Sequence, residues 1–148
     1  MRTETSSVVH ALQGVALFQG CSARELRWID RTSTECHVDT GRVLCREGEV
    51  GREFFVIVGG EAEVSVAGVP VVRLGRGSFF GEMALLDSGT RAATVTATTP
   101  MELRVFTRRE FMTMLREVPS MSQQVLCTLS SRLRLADRML ARSDTILV

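Results

Sequence analysis

The chain has 148 residues, enough to bury a hydrophobic core without disulfides or a metal ion. With 45% hydrophobic and 24% charged residues it has the composition of a globular domain, and it contains neither a signal-peptide layout nor an apolar run of roughly 18 residues for a membrane helix. Its formal net charge of +1 gives no basic excess for nucleic acid, so we expect one cytoplasmic domain, residues 1–148, with no membrane partner.

Two short helices are predicted within residues 8–31. The apolar residues between positions 8 and 15 have helical spacing. A capping box follows at residues 22–25, where the first and fourth side chains can each bond the other residue's backbone N–H. A helix is therefore predicted from Ala23 to about Arg31, with Leu26 and Ile29 buried.

Short alternating segments, broken by glycines about every eight to twelve residues, occupy residues 34–107. This spacing is typical of an antiparallel sandwich or barrel. The apolar run Phe54–Ile57 fits a strand that is buried on both faces. Two later strands joined near Gly68 place Val64 and Val71 either in the plain core or in the lining of an apolar pocket.

The cysteines and histidines do not predict a metal site. The four cysteines are Cys21, Cys36, Cys45 and Cys127, and none forms a C-x-x-C pair. We expect them to be small buried hydrophobic residues. Alternation places His37 on the same strand face as Glu35, so His37 is predicted to be a solvated surface residue and not a catalyst.

The stretch from Phe80 to Ala97 combines groups that suit a ribose phosphate. Gly81 allows close approach of a ligand to the backbone, and Glu82 is a single acid in an apolar setting. The helical turn predicted after Gly81 would point free N–H groups at an anion. Arg91 has a planar guanidinium suited to two-pronged phosphate binding. The small or apolar residues beside these groups are Met83, Ala84, Leu85, Ala92 and Ala93.

After Pro100 the sequence predicts one more strand, residues 101–106, and then two helices. The first helix starts at a capping box, residues 107–110, and Pro119 ends it. The second is predicted to start at Ser120 and to reach about Arg142. It has two apolar stripes, one with Leu126, Leu129, Leu133, Ala136 and Leu140 and the other with Met121, Val125, Leu135 and Met139. Either both stripes pack on the same domain, or one contacts a second subunit.

The stretch Phe80 to Ala97 resembles the phosphate-binding cassette of cyclic-nucleotide-binding domains, found in cAMP-dependent kinase regulatory subunits and bacterial catabolite activator proteins. Phe80-Gly81-Glu82, Ala84-Leu85 and Arg91-Ala92-Ala93-Thr94-Val95 match the pattern of that family, while Thr90 replaces a frequent proline. Residues 44–60 resemble a second motif of the same family. The resemblance implies an eight-stranded antiparallel β-roll, jelly-roll-like, with flanking short helices and a long C-terminal helix.

The resemblance also implies roles for individual residues. Glu82 would bind the ribose 2′-hydroxyl and Arg91 the cyclic phosphate, assisted by backbone N–H groups of residues 81–85 and near Ala92. Val64 and Val71 are the favoured residues for the purine pocket. A hydroxyl residue directly after the arginine is associated with cGMP in the family, so Ala92 favours cAMP, with cGMP as the alternative. No cofactor is implied. The alternative for the two charged residues is that Arg91 and Glu82 only pair with each other as a structural bridge.

Three classes of function follow from this sequence. The favoured class is a cyclic-nucleotide sensor whose C-terminal helix transmits the signal and forms a homodimer. Its expected parts are N-terminal helices within 8–31, a β-roll over 34–107 and C-terminal helices over 108–142. The alternatives are the regulatory part of a larger transcription factor or effector enzyme, with the downstream effector left open, and a cassette that no longer binds nucleotide.

Direct nucleic-acid binding and catalysis are not expected. Residues 143–148 are too few for a helix-turn-helix motif. A phosphodiesterase needs clustered His and Asp ligands or an activated nucleophile, and the two histidines, His10 and His37, lie far apart in the sequence. We therefore assign no catalytic residue.

Overall fold

The computed structural model describes the backbone of residues 10–87 and 89–147 and the side chains of residues 10–87 and 89–141. The strands are β1 Thr34–Val38, β2 Val43–Cys45, β3 Glu53–Gly59, β4 Ala62–Val66, β5 Val69–Leu74, β6 Phe79–Phe80, β7 Thr94–Ala97 and β8 Met101–Thr107. The helices are α1 Ala23–Thr32, α2 Glu82–Leu86, α3 Arg108–Glu117 and α4 Pro119–Leu147, with a short 3₁₀ helix at Ala16–Phe18.

The eight strands form two four-stranded sheets, ordered β1-β8-β3-β6 and β2-β7-β4-β5. Every strand pair described in these sheets is antiparallel. The short helices precede and follow the sheets, and α4 extends over 29 residues. The predicted eight-stranded antiparallel β-roll with a long C-terminal helix is confirmed.

The central strand β3 separates two hydrophobic clusters. Because side chains alternate along a strand, Phe54 and Val56 pack into the cluster shared with the helices, while Phe55 and Ile57 pack into the cluster between the sheets. All four side chains are 5% exposed or less. In the helix-side cluster, the rings of Phe54 and Phe111 lie 4.4 Å apart between centroids. The prediction that this run is buried on both faces is confirmed.

Both predicted capping boxes are present. The Glu25 N–H donates to Ser22 Oγ at 3.1 Å, and the Ser22 N–H donates to Glu25 Oε1 at 2.9 Å. The same reciprocal pair starts α3, between Thr107 and Glu110. These bonds satisfy backbone donors that the first turn of a helix leaves without partners. In the predicted N-terminal helix, residues 10–13 are helical, and residues 8 and 9 lie outside the described residues.

The C-terminal helix differs from its prediction at both ends. It begins at Pro119 and not at Ser120, because proline fits the first helical position, where no N–H is needed. It also continues to Leu147 instead of ending near Arg142, since no glycine or proline stands between residues 143 and 147 to end it.

The two apolar stripes of α4 are buried only near the start of the helix, and there only on one face. Met121 and Val125, in the first turns, are buried in the helix-side cluster, and Leu129 packs partly against it. Five further apolar residues are each more than half exposed: Leu126, Leu133, Leu135, Met139 and Leu140. Packing of both stripes on the same domain therefore describes only the start of the helix.

The cysteines follow their prediction in part. Cys45 is buried, and this burial raises the pKa of its thiol to about 11. Cys21 and Cys36 are partly buried, and both pack against the hydrophobic clusters. Cys127 is exposed on α4, beside the exposed Leu126, so the prediction that it is buried is wrong. Among the described residues, no helix combines the length and apolar character needed to span a membrane.

Candidate ligand-binding site

The predicted cassette begins where β6 passes into α2. Gly81 joins them with a φ of +94°, a left-handed backbone conformation that residues other than glycine rarely adopt. A Cβ atom at this position would lie 2.8 Å from both Arg91 Nη1 and the Glu53 carbonyl oxygen. Glycine is therefore required here both for the backbone conformation and for the close approach of the arginine.

Arg91 is buried beside this turn, with 8% of its surface exposed. Its Nη1 donates to the Gly81 carbonyl at 2.9 Å, and its Nη2 donates to the Glu53 carbonyl at 2.8 Å. Its guanidinium carbon lies 5.8 Å from the centroid of the Phe55 ring. In the described part of the chain these hydrogen-bond partners are neutral carbonyls. The guanidinium has five N–H groups, so it retains both its charge and further donors for an anion.

Glu82, the first residue of α2, is the most deeply buried acid of the site, at 1% exposure. Its Oε1 accepts a hydrogen bond from Arg132 Nη1 of α4. Burial raises the pKa of the Glu82 carboxyl, and the positive charge of Arg132 opposes that rise. Its other oxygen, Oε2, is buried without a hydrogen-bond partner among the described residues. One acceptor of this carboxyl is therefore left for a donor that the described chain does not supply.

Arg132 is held at two points. Besides bonding Glu82, it donates from Nη2 to the Phe79 carbonyl at 3.0 Å, and its guanidinium carbon lies 5.3 Å from the Phe79 ring centroid. The proposed structural bridge between Arg91 and Glu82 is absent among the described side-chain contacts, because each of these residues bonds other groups. The two charged residues of the cassette are therefore held independently.

The second predicted motif, residues 44–60, packs against the cassette. A Cβ atom on Gly51 would collide with the Ala84 Cβ and lie 3.1 Å from the Arg91 guanidinium carbon. Two backbone bonds fix the same region: the Arg91 N–H donates to the Glu49 carbonyl at 2.7 Å, and the Gly48 N–H donates to the Arg91 carbonyl at 2.9 Å. Residues 44–60 and the cassette thus contact each other directly.

The other predicted site residues occupy different environments. Ala84 and Leu85 are buried, Ala93 is half-buried, and Met83 and Ala92 are exposed. Val64 is partly buried and packs against the cluster between the sheets. Val71 is 54% exposed on β5, the last strand of its sheet. Val64 is the register partner of Val72, and the register shifts between Val64 and Ser65.

Arg132 is the site residue that the sequence analysis missed. It lies seven positions after Val125 and three after Leu129, so it continues the face of α4 that packs on the domain. A single arginine extending an apolar helix face is a signal that it bonds an acid at the edge of the core. That acid could not be identified without knowing the direction of α4.

The eight described strands, the short helix α2 between β6 and β7 and the long helix α4 define an antiparallel β-roll domain with a C-terminal helix. The chain belongs to the cyclic nucleotide-binding domain family, whose model matches residues 35–118, more than half of its length. The resemblance noted from the two motifs is thereby confirmed.

Three relatives illustrate the similarity. The chain is 37% identical over 118 residues to a cyclic nucleotide-gated potassium channel of Rhizobium etli, covering 80% of this chain and 33% of the channel. It is 42% identical over 90 residues to a cAMP-dependent protein kinase regulatory subunit of Eremothecium gossypii, covering 60% and 19%. The crystal structure of the Thermus thermophilus catabolite activator protein matches with a TM-score of 0.77 and 27% identity, covering 85% and 62%. The chain spans less than two thirds of the length of each of these relatives.

Proposed function

We propose that this chain is a sensor domain that binds a cyclic purine mononucleotide, with cAMP as the favoured ligand. The supporting observation is the pair of buried groups at the cassette. Arg91 is a buried cation bonded to neutral carbonyls, and Glu82 is a buried acid with an unpartnered Oε2. A cation and a hydrogen-bond acceptor side by side match a cyclic phosphate and a ribose hydroxyl. Its relatives include a cyclic nucleotide-gated potassium channel and a cAMP-dependent protein kinase regulatory subunit, which supports this chemistry.

In this proposal Arg91 binds the cyclic phosphate. Its two bonds to the Gly81 and Glu53 carbonyls fix the plane of the guanidinium before a ligand arrives. An ion pair in this setting is strong because the 8% exposure of Arg91 limits screening by water. The backbone N–H groups of residues 81–85 and of the segment near Ala92 complete the phosphate contacts.

Glu82 binds the ribose 2′-hydroxyl through Oε2 in this proposal. Because Oε1 already accepts from Arg132, the ligand would join a continuous chain from ribose to Glu82, to Arg132 and to α4. Buried contacts of α4 end near this point, and the described residues beyond Arg132 are exposed. We therefore propose that the signal leaves the domain through α4, with the Glu82–Arg132 contact as its first step.

Ala92 bears on which purine base the proposed ligand carries. Ala92 is exposed directly after Arg91, and its methyl group has no hydrogen-bonding atom for the guanine amino group, which favours cAMP over cGMP. Val64 and Val71 remain the proposed apolar contacts of the purine. The exposure of Val71 fits this role, since a residue that covers a base must be accessible before binding.

The same proposal includes a homodimer formed through α4. Three leucines at seven-residue spacing on this helix, Leu126, Leu133 and Leu140, are more than half exposed and share one face. An apolar surface of this kind marks an interaction site. A second copy of α4 would cover it with an identical surface, as symmetric dimers do.

Calorimetric titration of the chain with cAMP, 2′-deoxy-cAMP and cGMP tests this function. We expect one equivalent of cAMP to bind, with weaker binding of the other two. Glu82→Gln should bind cAMP and its 2′-deoxy analogue with similar affinity, because the preference depends on the carboxylate. A ligand at a hundredfold over Kd should add about 2.7 kcal/mol to stability. If millimolar cyclic nucleotide gives no binding heat and no change in melting temperature, the proposal is overturned.

A further inference from the structure

A second group of polar side chains lies on β1 and β8, away from the cassette. Glu35 and His37 alternate along β1 and so share a face, and Glu102 of β8 is the direct register partner of His37. One potential ligand atom from each of these three residues lies within 4.8 Å of the other two. Two strands distant in sequence thus bring one imidazole and two carboxylates together.

One of the three donor pairs already has a spacing close to that of a metal site. A tetrahedral ion with ligand bonds of 2.0–2.2 Å places its donors about 3.4 Å apart. His37 Nε2 already lies 3.1 Å from Glu35 Oε1. The side chains of His37 and Glu35 are 68% and 50% exposed, so small rotations that bring in Glu102 meet little steric resistance. A bound ion would take the place of the present contact between His37 and Glu35.

The charges also match a divalent ion. Two carboxylates and a neutral imidazole carry a total charge of −2. Arg104, the register partner of Glu35, is the cation on this face of β8, and its Nη1 lies 3.0 Å from Asp30 Oδ1 of α1. The Arg104 guanidinium is therefore paired with Asp30 of α1. The negative charges of Glu35 and Glu102 are not neutralised by it.

Space for further ligands lies beside Glu102. On its other side Glu102 pairs with Gly59 of β3, which has no side chain to cover the three polar residues. A cleft of about 400 Å³ opens there, lined among others by His37, Asp39, Gly59 and Glu102. Water from this cleft can complete the coordination of an ion, as in zinc sites with three protein ligands.

We propose that Glu35, His37 and Glu102 bind a divalent transition-metal ion, for which Zn²⁺ is the best match. Zn²⁺ accepts mixed nitrogen and oxygen ligands, whereas Mg²⁺ and Ca²⁺ favour oxygen alone. The ion would join β1, the first strand of its sheet, to β8. The sheet order β1-β8-β3-β6 separates this site from the cassette, which follows β6, so the two sites can be tested independently. Closely spaced cysteine and histidine pairs, the usual sequence signal of a zinc site, are not part of this site, so the site was not predicted.

Calorimetric titration of metal-stripped chain with ZnCl₂ tests this site. A Cys127→Ser background removes the exposed thiol, a soft ligand that would compete for Zn²⁺. We expect one equivalent of Zn²⁺ to bind and Mg²⁺ not to bind. His37→Ala and Glu102→Gln should each weaken Zn²⁺ binding roughly tenfold or more. The matched control is His10→Ala, which removes the only other histidine of the chain and should leave the affinity unchanged.

Visible absorption of bound Co²⁺ gives a second readout. A site of one nitrogen and two oxygen ligands should show weak bands without thiolate charge transfer, and His37→Ala should abolish them. Circular dichroism of each variant verifies its fold. The proposal is overturned if the wild-type chain binds no Zn²⁺, if folded His37→Ala and Glu102→Gln keep the wild-type affinity, or if His10→Ala loses it.

Discussion

Arg132 of the C-terminal helix is hydrogen-bonded to Glu82, fifty residues earlier in the chain. The contact joins the first residue of α2 to the part of α4 where the buried face of the helix ends. Glu82 is 1% exposed, whereas the side chain of Arg132 is 40% exposed. The pair therefore spans the boundary between the core and solvent and links the cassette directly to α4.

Replacing Arg132 tests the contribution of this pair to stability. Arg132→Met should lower the free energy of unfolding by about 1–3 kcal/mol, less than the 3–5 of a fully buried pair, because water partly screens the arginine. Urea denaturation at neutral pH measures the difference. Arg134→Met, an exposed position on the same helix, is the matched control and should change stability by less than about 0.5 kcal/mol. Equal losses in the two variants would contradict the role of the pair.

The raised pKa of Glu82 predicts how stability depends on pH. Burial raises the pKa of this carboxyl above 4.5 in the folded chain, so the folded state keeps its proton to higher pH than the unfolded state. The stabilising contribution of the protonated group is complete below the unfolded pKa and is lost as the pH rises through the folded pKa. Wild-type stability should therefore fall relative to Glu82→Gln as the pH rises from 4.5.

Urea denaturation of both proteins from pH 4.5 to neutrality measures this trend. The matched control is Glu61→Gln, which changes an exposed carboxyl and should give a profile parallel to that of the wild type. If the Glu82→Gln profile is also parallel, the carboxyl does not titrate differently in the folded state, and the burial argument is wrong.

Local patterns were sufficient to predict most of the fold. The continuous apolar run Phe54–Ile57 identified β3, and the two capping boxes located the starts of α1 and α3. Glu82 and Arg91 were found because both lie within the single stretch from Phe80 to Ala97, which resembles a family motif. Arg132 and the trio of Glu35, His37 and Glu102 were missed because each depends on which elements become neighbours. Pairing of β1 with β8 and the direction of α4 are set by the packing of the whole chain, which periodicity does not describe.

Gly51 is predicted to be essential for the shape of the cassette. Gly51→Ala should lower stability by about 1–3 kcal/mol and weaken cAMP binding, because its methyl group would collide with Ala84 and crowd Arg91. Gly75→Ala is the matched control, since nothing lies within 4 Å of a Cβ there. Thermal unfolding and cAMP titration of the two variants provide the comparison. A Gly51→Ala protein that matches Gly75→Ala in both measurements would show that the cassette tolerates this displacement.

The proposed dimer predicts that α4 controls assembly. Leu133 is 63% exposed, and Leu133→Glu should place a charge in an apolar contact and release monomers. Sedimentation at about tens of micromolar, a range suited to modest interfaces, measures the state of each protein. Met112→Glu, which changes an exposed apolar residue of α3, should remain dimeric. A wild-type chain that sediments as a monomer, or a Leu133→Glu variant that stays dimeric, contradicts an interface through this part of α4.

Arg91 is the residue on which the proposed ligand contact depends most. Its loss should cost about 2–5 kcal/mol of binding, because the cyclic phosphate would lose its buried countercharge. At 1.4 kcal/mol per decade, this corresponds to roughly 30-fold to several thousandfold. Arg91→Lys should recover little of it, since a point charge does not reproduce the planar guanidinium.

Calorimetric titration of folded Arg91→Ala with cAMP, beside the wild type, is the most direct test of nucleotide binding at this cassette. Because Arg91 also bonds the Gly81 and Glu53 carbonyls, circular dichroism must first show that the variant is folded. We expect the wild type to bind one equivalent of cAMP and the folded variant to bind at least roughly 30-fold more weakly. Equal affinity of the two proteins for cAMP would contradict the proposed site.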